Sequence, residues 1–337
     1  MDAITRILFG SHKGVNVLGH DWDHLIVLDA CRCDVFEYVY RRVFPKAAEF
    51  KCIMSSASST AEFIKRNLMD HMNNYLREKL RNTILVNSNP VIDHILGTKL
   101  RELFYDYVPV WRSYWDYSIG VVKPEDVYRV TLKVYVRHPD KKMIVWFLQP
   151  HYPYLSRRFV YVSIVNRAFM NRWPLIAQHH KAFDNNLLWL FKIIGGLLKK
   201  GCLYDGIPDK VVHEYALQKP SEIVKAYVIN LFLVLQYVKK LSEILPGKIV
   251  ITSDHGEAFG EKLHRWIPLR VYGHMSRIRT RSLTQVPYLI VENNITQHEA
   301  VRRALKYPVH LFITQIKDRK MQGPRNTSPH IGSYGDL

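Results

Sequence analysis

Five short apolar runs in the chain stop abruptly at polar, chemically capable side chains. Leu25 to Leu28 (LIVL) runs into Asp29, and Ile84 to Val86 runs into Asn87. Met143 to Leu148 (MIVWFL) runs into Gln149, Pro150 and His151. Lys248 to Thr252 (KIVIT) runs into Ser253, Asp254 and His255, and Val286 to Val291 (VPYLIV) is the fifth. Unbroken β-branched and aromatic runs of this length read as strands buried on both faces of a mainly parallel sheet. Helical periodicity lies between them. It predicts one helix over Thr60 to Leu80, with Phe63, Ile64, Leu68 and Met69 apolar. It predicts a longer one over Ser221 to Leu245, with Ser221 as N-cap and Pro246-Gly247 as the stop. Alternating strands and helices imply an α/β fold, a central mainly parallel sheet flanked by helices on both faces. Ligands of such sheets bind beyond the carboxyl ends of the strands, which is where these polar residues gather.

Residues 1–316 are expected to form one catalytic domain, with 156–220, including His179 and His180, as a cap or insertion. The polar residues 317–337, rich in Gly, Pro and Ser, read as a disordered tail. The apolar stretch Asn186 to Gly201 is interrupted by Lys192 and two glycines, and reads as a core helix or, alternatively, one resting on lipid. No uncharged apolar run reaches the ~18 residues of a membrane span, so none is expected. Met1 to Gly10 is too short and too polar for a signal peptide.

Charge narrows the partners. The 337 residues carry 48 Lys and Arg against 30 Asp and Glu, a net charge of +18. That balance favours an anionic ester substrate or peripheral contact with an anionic membrane or glycan, and does not exclude nucleic acid. The basic residues are spread along the chain, which argues against a simple nucleic-acid arm. Cys31, Cys33, Cys52 and Cys202 match neither a zinc ribbon nor a disulfide framework. Reduced thiols and a cytoplasmic location, peripheral at most to the inner membrane face, are therefore expected.

Three segments carry chemistry. In Ser253-Asp254-His255-Gly256-Glu257, a carboxylate and an imidazole leave a strand side by side, a donor pair suited to zinc or manganese. Asp29, in Leu28-Asp29-Ala30-Cys31-Arg32, ends the first strand, where a buried carboxylate needs a partner. A metal ion and an ion pair with Arg32 both answer that need. Ser55 to Thr60 holds five hydroxyl residues ahead of Glu62 and Phe63. It reads as a capped helix start, and a hydroxyl there meets the positive end of the helix dipole, a setting for a bound phosphate or sulfate.

The order of these segments resembles the alkaline phosphatase superfamily, which includes sulfatases, lipoteichoic acid synthases and phosphoethanolamine transferases. That group shows a strand-ending acid, a nucleophile at a helix start, H-x-P-Y and then S-D-H-G-E. The L-D-A-C-R motif is similar to that of sulfatase-like archaeal proteins. The resemblance covers residues 25–291 and implies an alkaline phosphatase-like fold with one or two divalent metal ions, zinc first, manganese or calcium as alternatives. It implies Asp29, Asp254 and His255 as ligands of one metal. Ser58-Ser59-Thr60-Ala61-Glu62-Phe63 lines up with the T-S-D-S-E-F of lipoteichoic acid synthases, which makes Ser58 the nucleophile, with Ser59 and Thr60 as alternatives. His151 in His-Tyr-Pro-Tyr and His274 in Tyr-Gly-His match histidines that bind a second zinc or the substrate headgroup, with His264 as an alternative to His274. Arg32 is expected to meet the substrate anion. The C-x-P-S-R of true sulfatases is absent, since Cys52 is followed by Ile53-Met54-Ser55-Ser56. The implied activity is metal-dependent hydrolysis or transfer of phosphate rather than sulfate esters. The alternatives are a headgroup transferase acting on lipid or glycan at a membrane surface, and a catalytically silent relative that binds anionic polymers or a protein partner.

Overall fold

The apolar runs form the centre of a seven-stranded sheet. Its strands are β1 (His24–Leu28), β2 (Glu49–Met54), β3 (Thr83–Asn87), β4 (Asp106–Pro109), β5 (Lys142–Phe147), β7 (Gly247–Thr252) and β10 (Gln285–Asn293). The order is β2-β10-β7-β1-β5-β3-β4. Every neighbouring pair is parallel except those of β10, which runs antiparallel to both β2 and β7. A second, three-stranded sheet holds β6 (Cys202–Asp205), β8 (Ala258–His264) and β9 (Ile267–Gly273), in the order β8-β9-β6. The computed structural model describes residues 14–45, 49–70, 72–156, 202–205, 219–264 and 267–306. The helix expected over Asn186 to Gly201, His179 and His180, most of the cap 156–220, the tail 317–337 and the side chain of His264 lie outside the described residues.

Side-chain alternation along the strands builds two apolar layers. Ile26, Leu28, Ile84, Val86, Val145, Phe147 and Ile251 face one side. There they pack against α1 (Cys33–Val43), α5 (Pro124–Arg137), α6 (Pro220–Ile244) and α7 (Gln297–Lys306). Leu25, Val27, Leu85, Ile144, Trp146 and Val250 face the other side. Their cover is α2 (Thr60–Ile64), α3 (Asn74–Arg81) and α4 (Pro90–Leu96). The α/β class, the mainly parallel sheet and the helices on both faces are as the sequence predicts.

Several details differ from the periodicity. The helix expected over Thr60 to Leu80 breaks in two. α2 passes into a π-helical turn over Lys65–Asp70, where Asn67 donates its side-chain amide to the Phe63 carbonyl (2.9 Å), and Asn73 caps a new start for α3. In α6 it is Pro220, at the first helical position, that begins the helix, so Ser221 is not the cap. α6 is also long and apolar enough to cross a membrane, which the count of uncharged residues did not anticipate. Here Tyr227, Leu231, Val234, Leu235, Val238 and Leu241 are buried against the sheet and its neighbours.

The reading of the cysteines is corrected. Cys33, at the start of α1, and Cys52, on β2, form a disulfide across a Cα separation of 5.8 Å, while Cys31 is a buried free thiol. Disulfides persist where the surroundings are oxidising. The expected cytoplasmic location, with reduced thiols, is therefore withdrawn.

Candidate metal centre

The carboxyl ends of β1, β3, β5 and β7 converge. Asp29 follows β1 in a tight turn whose next residue, Ala30, adopts φ 57°, a left-handed conformation uncommon for a residue with a Cβ. Such strain persists only where the surroundings over-determine it. Here the Asp254 carboxylate accepts from the Ala30 amide (3.2 Å), and the Tyr227 hydroxyl donates to the Ala30 carbonyl (2.6 Å). Ser253 latches the ends of β1 and β7 together. Its Oγ accepts from the Cys31 amide (2.8 Å) and lies 2.5 Å from the Leu28 carbonyl. Gly256 is required for closeness, because a Cβ there would stand 2.0 Å from the Ser282 carbonyl oxygen.

Asp29, Asp254 and His255 are fully buried and offer ligand atoms within 4.8 Å of one another. Thr60, the first residue of α2, reaches into this cluster. Its Oγ1 donates to Asp254 Oδ2 at 2.8 Å, lies 3.2 Å from His255 Nε2, and is 3.4 and 3.5 Å from the two Asp29 oxygens. His255 Nδ1 pairs with the Gly256 carbonyl (2.8 Å), an arrangement that leaves the Nε2 lone pair facing the cluster. Asn89 donates to Asp29 Oδ2 and uses its own Oδ1 to cap α4. Trp146 Nε1 lies 3.4 Å from the same Asp29 oxygen.

A second cluster adjoins the first. His151, Glu257 and His274 offer ligand atoms within 4.8 Å. His274 Nδ1 is 3.2 Å from Glu257 Oε2, and the His274 ring lies 4.8 Å from that of His151 and 4.5 Å from that of His255, centroid to centroid. Asn230 holds the His151 loop, donating to the carbonyls of Pro150 and His151 (3.1 Å each). Burial pushes His151 down to about 3 and Glu257 up to about 7.

The electrostatics show what the first cluster lacks. Burial, and then the charge of Asp254, raise the Asp29 carboxyl well above the usual range. Among the described residues, no Lys or Arg pairs with either carboxylate. Two buried carboxylates and a lone-pair imidazole nitrogen fit a divalent cation, and the oxygen and nitrogen donors suit zinc. The second set, two imidazoles and a carboxylate, fits one equally well.

The other expected residues are placed elsewhere. Ser58 Oγ donates to the Met275 carbonyl (2.9 Å) and accepts from Arg279 (3.2 Å). Ser59 caps α2, accepting from the Glu62 amide (3.3 Å), and its Oγ lies 2.6 Å from that of Ser276. Arg32 makes no pair with Asp29. Its guanidinium bonds Asp34, Glu261 and the Glu257 carbonyl, and lies over the Phe259 ring. Asn89 and Glu257 were not singled out from sequence. Asn-Pro just after a strand end, and the acid closing Ser-Asp-His-Gly-Glu, were the available signals.

Glu62 adds a pH dependence of its own. Burial alone would raise its carboxyl, but the hydrogen bonds and charge of Arg279 outweigh burial and hold it at about 2, below its ordinary 4.5. The stabilisation is complete above pH ~4.5 and is lost as pH falls toward ~2, a loss of about 3 kcal/mol. Acid unfolding measured by circular dichroism should show this slope in the wild type. A Glu62→Gln variant should have a shallower dependence over the same window.

No protein-family model matches the chain, and no curated protein matches it. Solved structures do. One is the soluble domain of lipooligosaccharide phosphoethanolamine transferase A from Neisseria meningitidis, at 13% identity and TM-score 0.46, covering 82% of this chain and 77% of that one. Another is the C-terminal periplasmic domain of EcEptC from Escherichia coli, at 13% identity and TM-score 0.46, covering 86% and 77%. The integral membrane form of the Neisseria protein matches at 14% identity and TM-score 0.48, over 83% of this chain but 50% of that one.

Proposed function

We propose that the chain is a metal-dependent phosphoester transferase working through a covalent intermediate on Thr60. The observation that carries this reading is the position of Thr60 Oγ1, in contact with all three donors of the buried Asp29, Asp254 and His255 cluster. Ser58 and Ser59 have their hydroxyls engaged with Met275 and Ser276. A divalent metal held by Asp29, Asp254 and His255 would lower the pKa of the neighbouring hydroxyl and offset charge on the phosphoryl oxygens.

The residues divide the work as follows. Thr60 Oγ attacks phosphorus, its bond to phosphorus forms as the ester P–O bond breaks, and the leaving alcohol departs with a proton. Asp254 Oδ2 already accepts the Thr60 hydroxyl hydrogen and is the first station for that proton. An acceptor hydroxyl, or water, then attacks the same phosphorus and releases Thr60. His151, Glu257 and His274 orient the transferred group, directly or with a second metal. Phosphoethanolamine transferases are among the solved structures it is similar to, so headgroup transfer to a lipid or glycan is the reaction to test first and hydrolysis the second. The two donor sets favour an enzyme over a silent binding protein.

The test uses the zinc-loaded protein with vesicles containing phosphatidylethanolamine and, separately, a chromogenic phosphodiester. We expect release of diacylglycerol or chromophore, and on the peptide containing Thr60 the mass adduct of the remaining phosphoester, phosphoethanolamine in the case of the lipid. Failure to take up zinc, or the absence of any adduct with both donors, would falsify the reading.

A further inference from the structure

Six of the seven groups formed by the two clusters and Thr60 are fixed by the main sheet, its loops or the turn leaving β7. His274 is the exception. It directly follows β9 of the small sheet, and needs a separate bond back to the rest of the site. The residues just after it provide one. Met275 accepts from Ser58 Oγ (2.9 Å), Ser276 Oγ meets Ser59 Oγ (2.6 Å), and the Arg277 amide donates to Glu62 Oε2 (3.1 Å). Arg277 takes φ 71°, a left-handed conformation held in place by this contact. Arg279 closes the seam, with both guanidinium nitrogens on the Glu62 carboxylate and one also on Ser58 Oγ. The pair is buried, at 5% and 8% side-chain exposure, so water does not compete for it.

We propose that Glu62 and Arg279 are positioning residues that set His274, and hence the second donor cluster, at a fixed separation from Thr60 and the first. The inference rests on the function proposed above and adds residues to it. Glu62 lies within α2, two residues beyond Thr60, and its carboxylate gathers the Ser58 amide, the Arg277 amide and Arg279 onto one point. Any shift of the loop after His274 must break that gathering. Neither residue touches a donor atom of either cluster, so both act through the backbone that carries Thr60 and His274.

Zinc titration of the metal-free chain, with amide hydrogen exchange, tests the idea. The variants are Arg279→Gln, Arg279→Lys and the charge-free double variant Glu62→Gln with Arg279→Met. The double variant avoids leaving one buried charge alone, and keeps the test open if the single variant fails to fold. We expect the first zinc to bind within about threefold of wild type and the second at least tenfold more weakly. Exchange at Arg277 should be at least tenfold faster, and Arg279→Lys should recover part of the second-zinc affinity. A merely structural pair would weaken both zincs together or neither. Either result in folded double variant, or unchanged exchange at Arg277, overturns the proposal. If the wild-type chain itself takes up fewer than two zinc ions, the proposed function fails first, and the positioning role fails with it.

Discussion

Thr60→Ala should lower turnover by ~10³-fold or more and abolish the covalent adduct, while zinc uptake persists. Removing a nucleophile eliminates the pathway rather than weakening one contact, which is why the effect is expected to exceed that of any other hydroxyl in the cluster. Thr60→Ser should retain measurable activity, because it keeps the oxygen and loses only a methyl group. Ser58→Ala is the informative control. Ser58 Oγ joins Met275, Arg279 and Glu62, so its loss should cost stability and loop order but leave the adduct on Thr60. Adduct formation in Thr60→Ala that disappears in Ser58→Ala would reverse the assignment. Intact-protein mass spectrometry, with peptide mapping, reads both outcomes.

Asp254→Asn should have two effects of opposite sign. Metal content, measured by elemental analysis without chelators, should fall by about one ion per chain, and turnover should vanish. The metal-free variant, however, should be at least as stable as metal-free wild type, by about 1 kcal/mol in denaturant unfolding. The carboxylates of Asp254 and Asp29 are buried side by side, and replacing one by an amide relieves their repulsion. Asparagine keeps the acceptor oxygen that serves the Ala30 and His255 amides, so the turns that depend on it survive. A variant that loses both metal and fold would show Asp254 to be mainly structural. One that keeps metal and activity would remove the first cluster from the mechanism.

The parts of the fold that could be read from sequence are those set by burial on both faces. β1, β3, β5, β7 and β10 are nearly continuous apolar runs, and their ends identify Asp29, His151, Asp254 and His255 as neighbours before any coordinates. β2 and β4 were not legible, because each lies at a sheet edge with mixed exposure and carries no such run. The reversed direction of β10 leaves no local mark either, since direction depends on the connection rather than on the strand. On a finer scale the sequence left the nucleophile open among Ser58, Ser59 and Thr60. Of the three consecutive hydroxyls Ser59 is the extended N-cap and Thr60 the first residue of α2, and only the placement of that helix start decides which of them faces Asp29. Gly256 is needed for space against the Ser282 carbonyl, a tertiary contact that no local pattern reveals. Glu62 looked like a helix cap. Its larger role depends on Arg279, which lies over 200 residues away (217) in the chain.

The disulfide has a consequence for how the site is made. Cys33 opens the helix that follows the Asp29 turn, and Cys52 lies on the strand that leads to Thr60. The bond therefore closes the loop 33–52 and tethers the segment just after Asp29 to the strand that leads to Thr60. Thiol oxidation becomes a maturation step that belongs before metal loading. Protein prepared in a reducing host and protein prepared in an oxidising one should then differ in metal occupancy even where their spectra of secondary structure coincide.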